Sequence, residues 1–219
     1  TGVQTCALPI LKELAGNGTF HVVATSSINL PYIYETDGPT AVNSFFTGKF
    51  GTAFPAPIMV ASTWSKELAG RFRTCIGNEL CDFGFTGWYG PGMNIHRNAF
   101  SGRNFEYYSE DPLLAGMMAA AMTLGVQKVP GCGTTIKHFA CNNQEDNRMG
   151  SDSILSERAL REIYLKGFEI AVKDAQPMSI MTSYNLINGV HAANCYDTCT
   201  KAARDEWGFA RSEERRVGK

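Results

Sequence analysis

Polar, charged and aromatic residues are crowded into two stretches of this chain. The first covers residues 88–111, WYGPGMNIHRNAFSGRNFEYYSED, and the second covers residues 134–148, TTIKHFACNNQEDNR. The first stretch shows neither the 3.6-residue period of an amphipathic helix nor the alternation of a half-buried strand. It therefore predicts a long functional loop that a scaffold holds in place.

Four polar residues could together bind a hydroxyl-rich ligand: Asp37, Arg103, Lys137 and His138. A carboxylate accepts hydrogen bonds from two vicinal hydroxyls, and Arg and Lys donate charge-assisted hydrogen bonds to ring hydroxyls. Two alternatives stay open, because Asp37 could simply cap an Asp-Gly-Pro turn and Arg103 could form a structural ion pair with Glu106. The functional interpretation is stronger for Lys137, because lysine is rarely buried without a partner.

Aromatic residues close to these groups have two possible roles. Trp88, Tyr89, Tyr107 and Tyr108 could offer apolar faces to a sugar ring, but ordinary core packing is favoured for each of them taken singly. A metal-dependent hydrolase is less favoured. Its ligands would be His96, His138 and His191, yet the sequence contains neither an HxH nor an HExxH motif.

The composition excludes several classes of partner. The formal net charge is -1 and 19% of the residues are charged, which does not suggest a nucleic-acid or polybasic membrane partner. The longest apolar runs are far shorter than a bilayer-spanning helix, so we expect no membrane partner.

No two of the seven cysteines have the CxxC spacing. Scattered thiols, together with the absence of a visible signal peptide, predict a reducing, cytoplasmic compartment.

Short strands alternate with helices along the chain. Strands are predicted at residues 32–36, 57–62, within 85–95, and at 134–139 and 179–183. Helices are predicted from residue 66 to about 84, from Pro112 (with Asp111 as N-cap) to about Val129, from the N-cap Ser156 to Pro177, and from Thr198 to Trp207. In the third helix, the core face is predicted to consist of Leu160, Ile163, Tyr164, Phe168 and Ala171.

This alternation predicts βαβ units and a parallel sheet. Polar residues follow at least four strands, at Asp37, in the loop 94–111, at Lys137-His138 and at Tyr184-Asn185. A barrel carries its chemistry on several strand ends, whereas a doubly wound sheet gathers a ligand at one switch point. The predicted class is therefore α/β, an incomplete TIM-type (β/α)8 barrel with about six βα units, because residues 11–210 are too few for the roughly 250 of a complete barrel.

Long ordered blocks of the sequence resemble a known family. The blocks are TDGPTAVN, TAFPAPIMVASTW, GPGMNIHRNAFSGRNFEYYSEDP, KHFACNNQEDNR, SERALREIYLKGFEIAVKDA, MTSYNLINGVHAA and RDEWGF. They cover about Tyr32 to Phe209 and resemble the amino-terminal barrel domain of glycoside hydrolase family 3, the β-glucosidase-type enzymes. KHFACNNQE, in place of the KHFPGHG of the β-N-acetylglucosaminidase branch, favours the glucosidase-like branch.

The resemblance implies a function and a set of site residues. It implies retaining hydrolysis at terminal non-reducing β-D-glucosyl residues of a β-glucoside or oligosaccharide, without a cofactor or a metal. The glucose-subsite positions that it implies are Asp37, Arg103, Lys137, His138, Met181 and Tyr184. Residues that it implies as loop braces are His96, Arg97, Glu106 and the stretch 142–145.

The same resemblance implies that the catalytic groups lie outside this chain. The nucleophile of the family is an aspartate in an SDW-type motif after the RDEWGF block, and the acid/base belongs to a second, α/β sandwich domain. We therefore assign no catalytic residue and expect the chain by itself to be inactive. A non-catalytic sugar-binding relative remains an alternative, as does a β-xylosidase or another exo-β-glycosidase of the family.

Both ends of the chain differ from the part between them. Residues 1–10, TGVQTCALPI, and 211–219, RSEERRVGK, resemble translations of sequencing adapters. A strand is expected after Phe209, yet six of the last nine residues are charged. We therefore expect a partial family 3 barrel domain at residues 11–210, flanked by adapter-like residues at 1–10 and 211–219.

Overall fold

Residues 21–44 and 47–214 are described by the structure, a computed structural model. The strands are β1 (His21–Val22), β2 (Ile33–Thr36), β3 (Asn43–Ser44), β4 (Lys49–Phe50), β5 (Gly87–Trp88), β6 (Gly133–Phe139), β7 (Asp152–Ser153), β8 (Ser179–Thr182), β9 (Leu186–Ile187), β10 (Val190–His191) and β11 (Ser212–Glu214). The helices are α1 (Pro57–Ala61), α2 (Lys66–Phe83), α3 (Pro112–Gln127), α4 (Glu157–Ala159), a π-helical segment (Leu160–Tyr164), α5 (Lys166–Ala175) and a second π-helical segment, α6 (Asp197–Glu206). Turns of 3₁₀ helix span Ser26–Ile28, Asn104–Glu106 and Ala192–Asn194.

The main sheet has six strands in the order β1-β2-β5-β6-β8-β11. β1 is antiparallel to β2, and the other neighbours are parallel. Helices connect the parallel strands, as the predicted βαβ pattern requires. Five of the six strands, β2, β5, β6, β8 and β11, are parallel to one another. This curled, open sheet confirms the predicted incomplete α/β barrel. A small sheet, β10-β9-β7, and the hairpin β3-β4 lie outside it.

The core lies between the sheet and helices α3, α5 and α6. Ile136 and Phe139 of β6 belong to one buried cluster with Phe168 of α5 and Trp207. The Phe139 ring meets Phe168 and Trp207 edge-on, with centroids 5.1 and 6.0 Å apart. Because β6 is buried along its whole length, the charge of Lys137 must be compensated inside the protein.

Side-chain caps begin two helices where the sequence predicts them. Ser65 accepts a hydrogen bond from the Leu68 N–H at the start of α2, and Asp111 accepts one from the Leu113 N–H at the start of α3. Such caps satisfy backbone donors that the first turn of a helix leaves unpaired. The predicted bounds of both helices are confirmed to within two residues.

The predicted strand at residues 57–62 is wrong, because this segment forms helix α1. An apolar run of five or six residues does not distinguish a strand from a buried helix, and Pro57 is suited to the first turn of a helix. In the helix Pro57 and Val60 are buried, whereas Ile58 and Met59 are exposed.

The helix that begins after Ser156 is interrupted, which changes its buried face. The Leu165 N–H donates to the Leu160 carbonyl at 2.8 Å, a five-residue step that marks the π-helical segment. The wider turn rotates the residues that follow, so Leu165 is buried and Ile163, which was predicted in the core, is 40% exposed. Phe168 and Ala171 are buried as predicted.

Strand β11 lies within the adapter-like residues 211–219. It pairs with β8 in parallel, with Ser212 opposite Ser179 and Glu214 opposite Met181. The domain boundaries given above remain predictions. Among the described residues, none of the helices is long and apolar enough to span a membrane.

Candidate functional site

Lys137 stands at the centre of the strand-end residues, in β6. Its N–H donates to the Pro91 carbonyl at 3.1 Å, and its carbonyl accepts from the Met93 N–H at 2.8 Å. On the other side of β6, Met181 of β8 is its register partner and is fully buried. The peptide bonds Lys137–His138 and Phe139–Ala140 are cis. Two neighbouring segments thus fix the backbone that carries the predicted lysine.

A row of alternating charges runs from Asp37 through Lys137 to Arg103. The Lys137 Nζ lies 2.7 Å from an Asp37 carboxylate oxygen and 3.6 Å from a Glu106 oxygen. Glu106 also pairs with the Arg103 Nε, and an Arg103 terminal nitrogen lies 3.9 Å from Glu145. The side chains of Lys137 and Glu106 are each 2% exposed, whereas that of Asp37 is 36% exposed. The buried cation is therefore compensated from two sides, as burial of a charge demands.

The pKa of Arg103 is set by opposing effects. Burial acts to lower the pKa of the guanidinium, while Tyr107, the Glu106 carboxylate and Glu145 act to raise it, and the net shift is upward. Arg103 therefore remains a cation and a permanent hydrogen-bond donor.

The turn that follows β2 positions Asp37. Its carboxylate accepts a hydrogen bond from the Gly38 N–H at 2.8 Å, and the Trp88 indole donates to the Gly38 carbonyl at 2.8 Å. Gly38 has a φ of +108°, and a Cβ there would lie 2.3 Å from the Ala41 oxygen. Only glycine fits this turn. Asp37 is thus both a turn residue and the partner of Lys137.

His138 is held at its backbone and at its ring. The Asn94 side chain donates to the His138 carbonyl at 2.8 Å and accepts from the His138 N–H at 2.7 Å. The Tyr107 hydroxyl lies 3.1 Å from the His138 Nδ1. All three residues are buried. Such contacts fix the orientation of the imidazole before any ligand binds.

Tyr184 follows β8 at the same end of the sheet. The Arg148 guanidinium lies 5.1 Å from the centre of its ring, and Arg148 pairs with Glu145. Because Glu145 also lies near Arg103, one carboxylate connects the segments that follow β5 and β6. The structure thus brings Asp37, Arg103, Lys137, His138, Met181 and Tyr184 to one end of the sheet. Their assignment as substrate contacts remains a prediction.

The four aromatic residues considered as sugar platforms are core residues. Trp88, Tyr89, Tyr107 and Tyr108 are each at most 3% exposed. The Tyr89 hydroxyl donates to the Glu35 carboxylate at 2.6 Å. Burial raises the pKa of both Tyr107 and Tyr108, so both phenols stay protonated. Tyr184, by contrast, is partly exposed.

The histidines of the metal interpretation have other contacts. The His96 Nε2 lies 3.1 Å from the Asn104 carbonyl, and burial lowers the pKa of His96. His191 lies in the hairpin strand β10, and His138 contacts Tyr107. Within residues 21–44 and 47–214, no group of three or more His, Cys, Asp or Glu residues could hold a metal ion.

Two residues that support the site, Asn94 and Arg148, have no role that the sequence predicts. Asn94 appeared only as part of a polar stretch, although its amide holds both backbone groups of His138. Arg148 closes the polar run NNQEDNR, and it links Glu145 to the Tyr184 ring. The only available signal was that such a polar run directly follows a buried strand.

A family comparison bears directly on this arrangement. The sequence model described as "Glycosyl hydrolase family 3 N terminal domain" matches residues 13–210. The chain belongs to glycosyl hydrolase family 3. The match confirms the resemblance carried by the sequence blocks and covers the strand ends with all six predicted site residues.

Several known proteins are similar to this chain over most of its length. Beta-glucosidase A of Butyrivibrio fibrisolvens is 45% identical over 192 residues, which are 87% of this chain and 23% of that protein. An exo-alpha-(1->6)-L-arabinopyranosidase of Bifidobacterium longum is 42% identical over 205 residues, 89% of this chain and 27% of that protein. The structure of beta-glucosidase 3B from Thermotoga neapolitana in complex with alpha-D-glucose is 45% identical, with a TM-score of 0.84 over 89% of this chain and 28% of that chain. This family 3 chain therefore spans about a quarter of the length of these relatives.

Proposed function

We propose that this chain supplies the glucosyl-binding wall of a retaining β-glucosidase. The observation that carries the proposal is the contact between Lys137 and Asp37, which are 100 residues apart in sequence. A buried ammonium and a partly exposed carboxylate meet at the end of the sheet, with the Arg103 guanidinium nearby. The beta-glucosidase relatives support the choice of sugar.

This arrangement suits a polyhydroxylated ring chemically. The Asp37 carboxylate can accept from two adjacent hydroxyls, while Lys137 and Arg103 can only donate. Charge-assisted hydrogen bonds are stronger than neutral ones, and the low exposure of Lys137 limits competition from water. A neutral sugar with several vicinal hydroxyls is the ligand that such a set recognises.

Binding of D-glucose by the whole chain tests the proposal. We expect saturation-transfer NMR signals from glucose with the wild type, and binding at least roughly tenfold weaker in Lys137→Met and Asp37→Asn, each of which removes a charge-assisted contact. Lys173→Met is the matched control, because Lys173 pairs with Glu169 on the exposed side of α5. Circular dichroism establishes that each variant is folded. Equal binding by Lys137→Met and the wild type would overturn the proposal.

We also propose that the nucleophile and the acid/base are supplied from outside this chain, by the remainder of a parent enzyme that includes a second, α/β sandwich domain. The strand-end carboxylates Asp37, Glu106 and Glu145 are each paired with a cation, which supports a binding role for them. The chain alone should not hydrolyse nitrophenyl β-glucoside. Turnover above that of a Lys137→Met preparation would contradict this.

A terminal L-arabinopyranosyl residue is the second candidate for the bound sugar. It is favoured by the Bifidobacterium longum relative, which is 42% identical to this chain. Competition between methyl β-D-glucoside and methyl α-L-arabinopyranoside in the same NMR experiment decides between the two. Preferential displacement by the arabinoside would replace the glucosyl assignment.

A further inference from the structure

We propose that Tyr107 is a positioning residue that fixes the tautomer of His138, with the proton on Nδ1, so that Nε2 accepts a hydrogen bond from a sugar hydroxyl. The role of Nε2 rests on the proposed function, whereas the position of the proton does not. Tyr107 acts only through His138.

The contacts that carry this inference lie in a closed environment. The Tyr107 oxygen is 3.1 Å from the His138 Nδ1 and 3.5 Å from the Asn142 carbonyl oxygen. Tyr107 is 0% exposed, Asn142 is 2% exposed and His138 is 3% exposed. The imidazole meets the phenol ring edge-on, with centroids 6.2 Å apart. The hydrogen bonds at this hydroxyl must therefore be made within the protein.

Counting protons selects one arrangement. The phenol carries a single proton, and burial raises its pKa, so it is not lost near neutral pH. If the phenol donated to Nδ1, the buried Asn142 carbonyl would lose this hydrogen bond. If the phenol donates to Asn142, the His138 Nδ1–H can donate to the phenol oxygen and both contacts are hydrogen bonds. The loss of a hydrogen bond at a buried carbonyl is costly, so the second arrangement is favoured.

The Nδ1–H tautomer gives His138 a role that Lys137 cannot fill. A lysine ammonium only donates hydrogen bonds, whereas the neutral imidazole with Nδ1–H presents Nε2 as an acceptor. A sugar hydroxyl is both a donor and an acceptor, so this neighbouring pair matches both of its functions. The Asn94 side chain bonds both the N–H and the carbonyl of His138, and Tyr107 determines which ring nitrogen of His138 carries the proton.

The tautomer can be measured in the whole wild-type chain, before any substitution. With ¹⁵N-labelled histidine, at a pH about two units above the usual histidine pKa of about 6.5, we expect the proton on the His138 Nδ1 and an unprotonated Nε2. Addition of D-glucose should shift the Nε2 resonance as it accepts a hydrogen bond. A proton on Nε2 in the free wild type would overturn the inference.

Tyr107→Phe and Tyr108→Phe form a matched pair of variants. Each removes one buried hydroxyl, but Tyr108 faces Met122 and Arg73 instead of His138. We expect Tyr107→Phe to move protons from Nδ1 to Nε2 and to weaken glucose binding roughly tenfold, the effect of about one hydrogen bond. Tyr108→Phe should change neither.

The outcomes separate this inference from the proposed function. Equal loss of binding in both variants with an unchanged tautomer would mean that Tyr107 is only structural, and the inference would fail. An Nδ1–H tautomer that depends on Tyr107, in a chain that binds no glucose, would support the positioning role and overturn the glucosyl site instead.

Discussion

Glu106 is a carboxylate buried between two cations. Its side chain is 2% exposed, it pairs with Arg103, and it lies 3.6 Å from the Lys137 Nζ. Removal of one charge from a buried ionic cluster leaves the others uncompensated, and this costs more than the cluster contributes in net stability. Glu106 therefore acts as a structural counter-ion for the two proposed sugar donors.

Glu106→Gln should lower the free energy of unfolding by about 3 kcal/mol, because the buried Lys137 and the partly buried Arg103 lose a shared partner. Chemical denaturation measures the change. Glu162→Gln makes the same chemical substitution in an exposed pair with Arg158 and should stay within roughly 0.5 kcal/mol of the wild type. Similar effects of the two substitutions would contradict the view that Glu106 is a buried counter-ion.

Arg73 is a fully buried guanidinium on α2. Its nitrogens lack a hydrogen bond of good geometry; Tyr108 is the polar group beside them, and the Trp88 ring lies 4.8 Å away. Burial lowers the pKa of Arg73 to about 10. Between pH 10 and the usual pKa of 12.5, the unfolded state therefore binds more protons than the folded state. The burial of the Arg73 charge thus destabilises the fold in full below pH 10, and this destabilisation decreases as the pH rises from 10 to 12.5.

Arg73→Met should therefore raise the free energy of unfolding at neutral pH by about 1–2 kcal/mol, since an apolar side chain of similar length avoids the desolvation cost. Thermal and urea denaturation measure the change, and the gain should shrink above pH 10. Arg71→Met, at an exposed position of the same helix, should have little effect. A loss of stability in Arg73→Met would show that its stacking on Trp88 outweighs its burial.

The cysteines differ in reactivity because they differ in burial. Cys75 and Cys81 are exposed on α2, whereas burial raises the pKa of Cys132 to about 11 and that of Cys141 to about 12. Since the thiolate is the nucleophile, iodoacetamide at neutral pH should alkylate Cys75 and Cys81 and spare Cys132 and Cys141. Peptide mass spectrometry of the native chain checks this. Equal labelling would mean that these elements open readily.

Helices α2 and α3 approach each other closely at two glycines. A Cβ on Gly125 would lie 2.3 Å from the Gly70 carbonyl oxygen, whereas a Cβ on Gly70 would be no closer than 3.6 Å to the Ala121 oxygen. A distance of 2.3 Å leaves room for the glycine hydrogen but not for a Cβ, whereas 3.6 Å is an ordinary van der Waals contact. The separation of the two helices therefore depends on Gly125.

Two alanine substitutions test this packing. Gly125→Ala should lower the free energy of unfolding by about 2 kcal/mol, because backbone atoms must move apart. Gly70→Ala should raise it by roughly 0.5–1 kcal/mol, because alanine is the better helix former. Urea denaturation at one pH compares the two. If Gly125→Ala were as stable as Gly70→Ala, the helices would be further apart than the structure places them.

At the scale of the whole molecule, the sheet is open. Among the described strands, β1 pairs only with β2 and β11 pairs only with β8 within the main sheet. An edge strand presents unpaired backbone groups that can pair with another chain. We expect concentration-dependent association in size-exclusion chromatography with light scattering. A monodisperse monomer that melts cooperatively at all concentrations would contradict this.

The sequence alone was sufficient for features that depend on neighbouring residues. The caps Asp111 and Ser156 predicted helix starts, and the polar residues that follow buried strands predicted Lys137 and Tyr184 at one end of a parallel sheet. These signals are local, because a cap or a strand end is defined by a few consecutive residues. The ordered blocks also sufficed for the family.

Tertiary structure decided which of these residues meet and which are buried. The contact of Lys137 with Asp37 joins positions 100 apart, and the role of Glu106 between two cations appears only when its loop meets β6. The fold also decided what local pattern left open, since Pro57–Ala61 form a helix and Arg73 lies in the core. Local propensities of residues other than proline differ by at most about 1 kcal/mol per residue, whereas burial against neighbours from distant segments contributes more. For that reason the candidate ligand groups could be predicted from the sequence, while their pairing and the contacts that orient His138 required the fold.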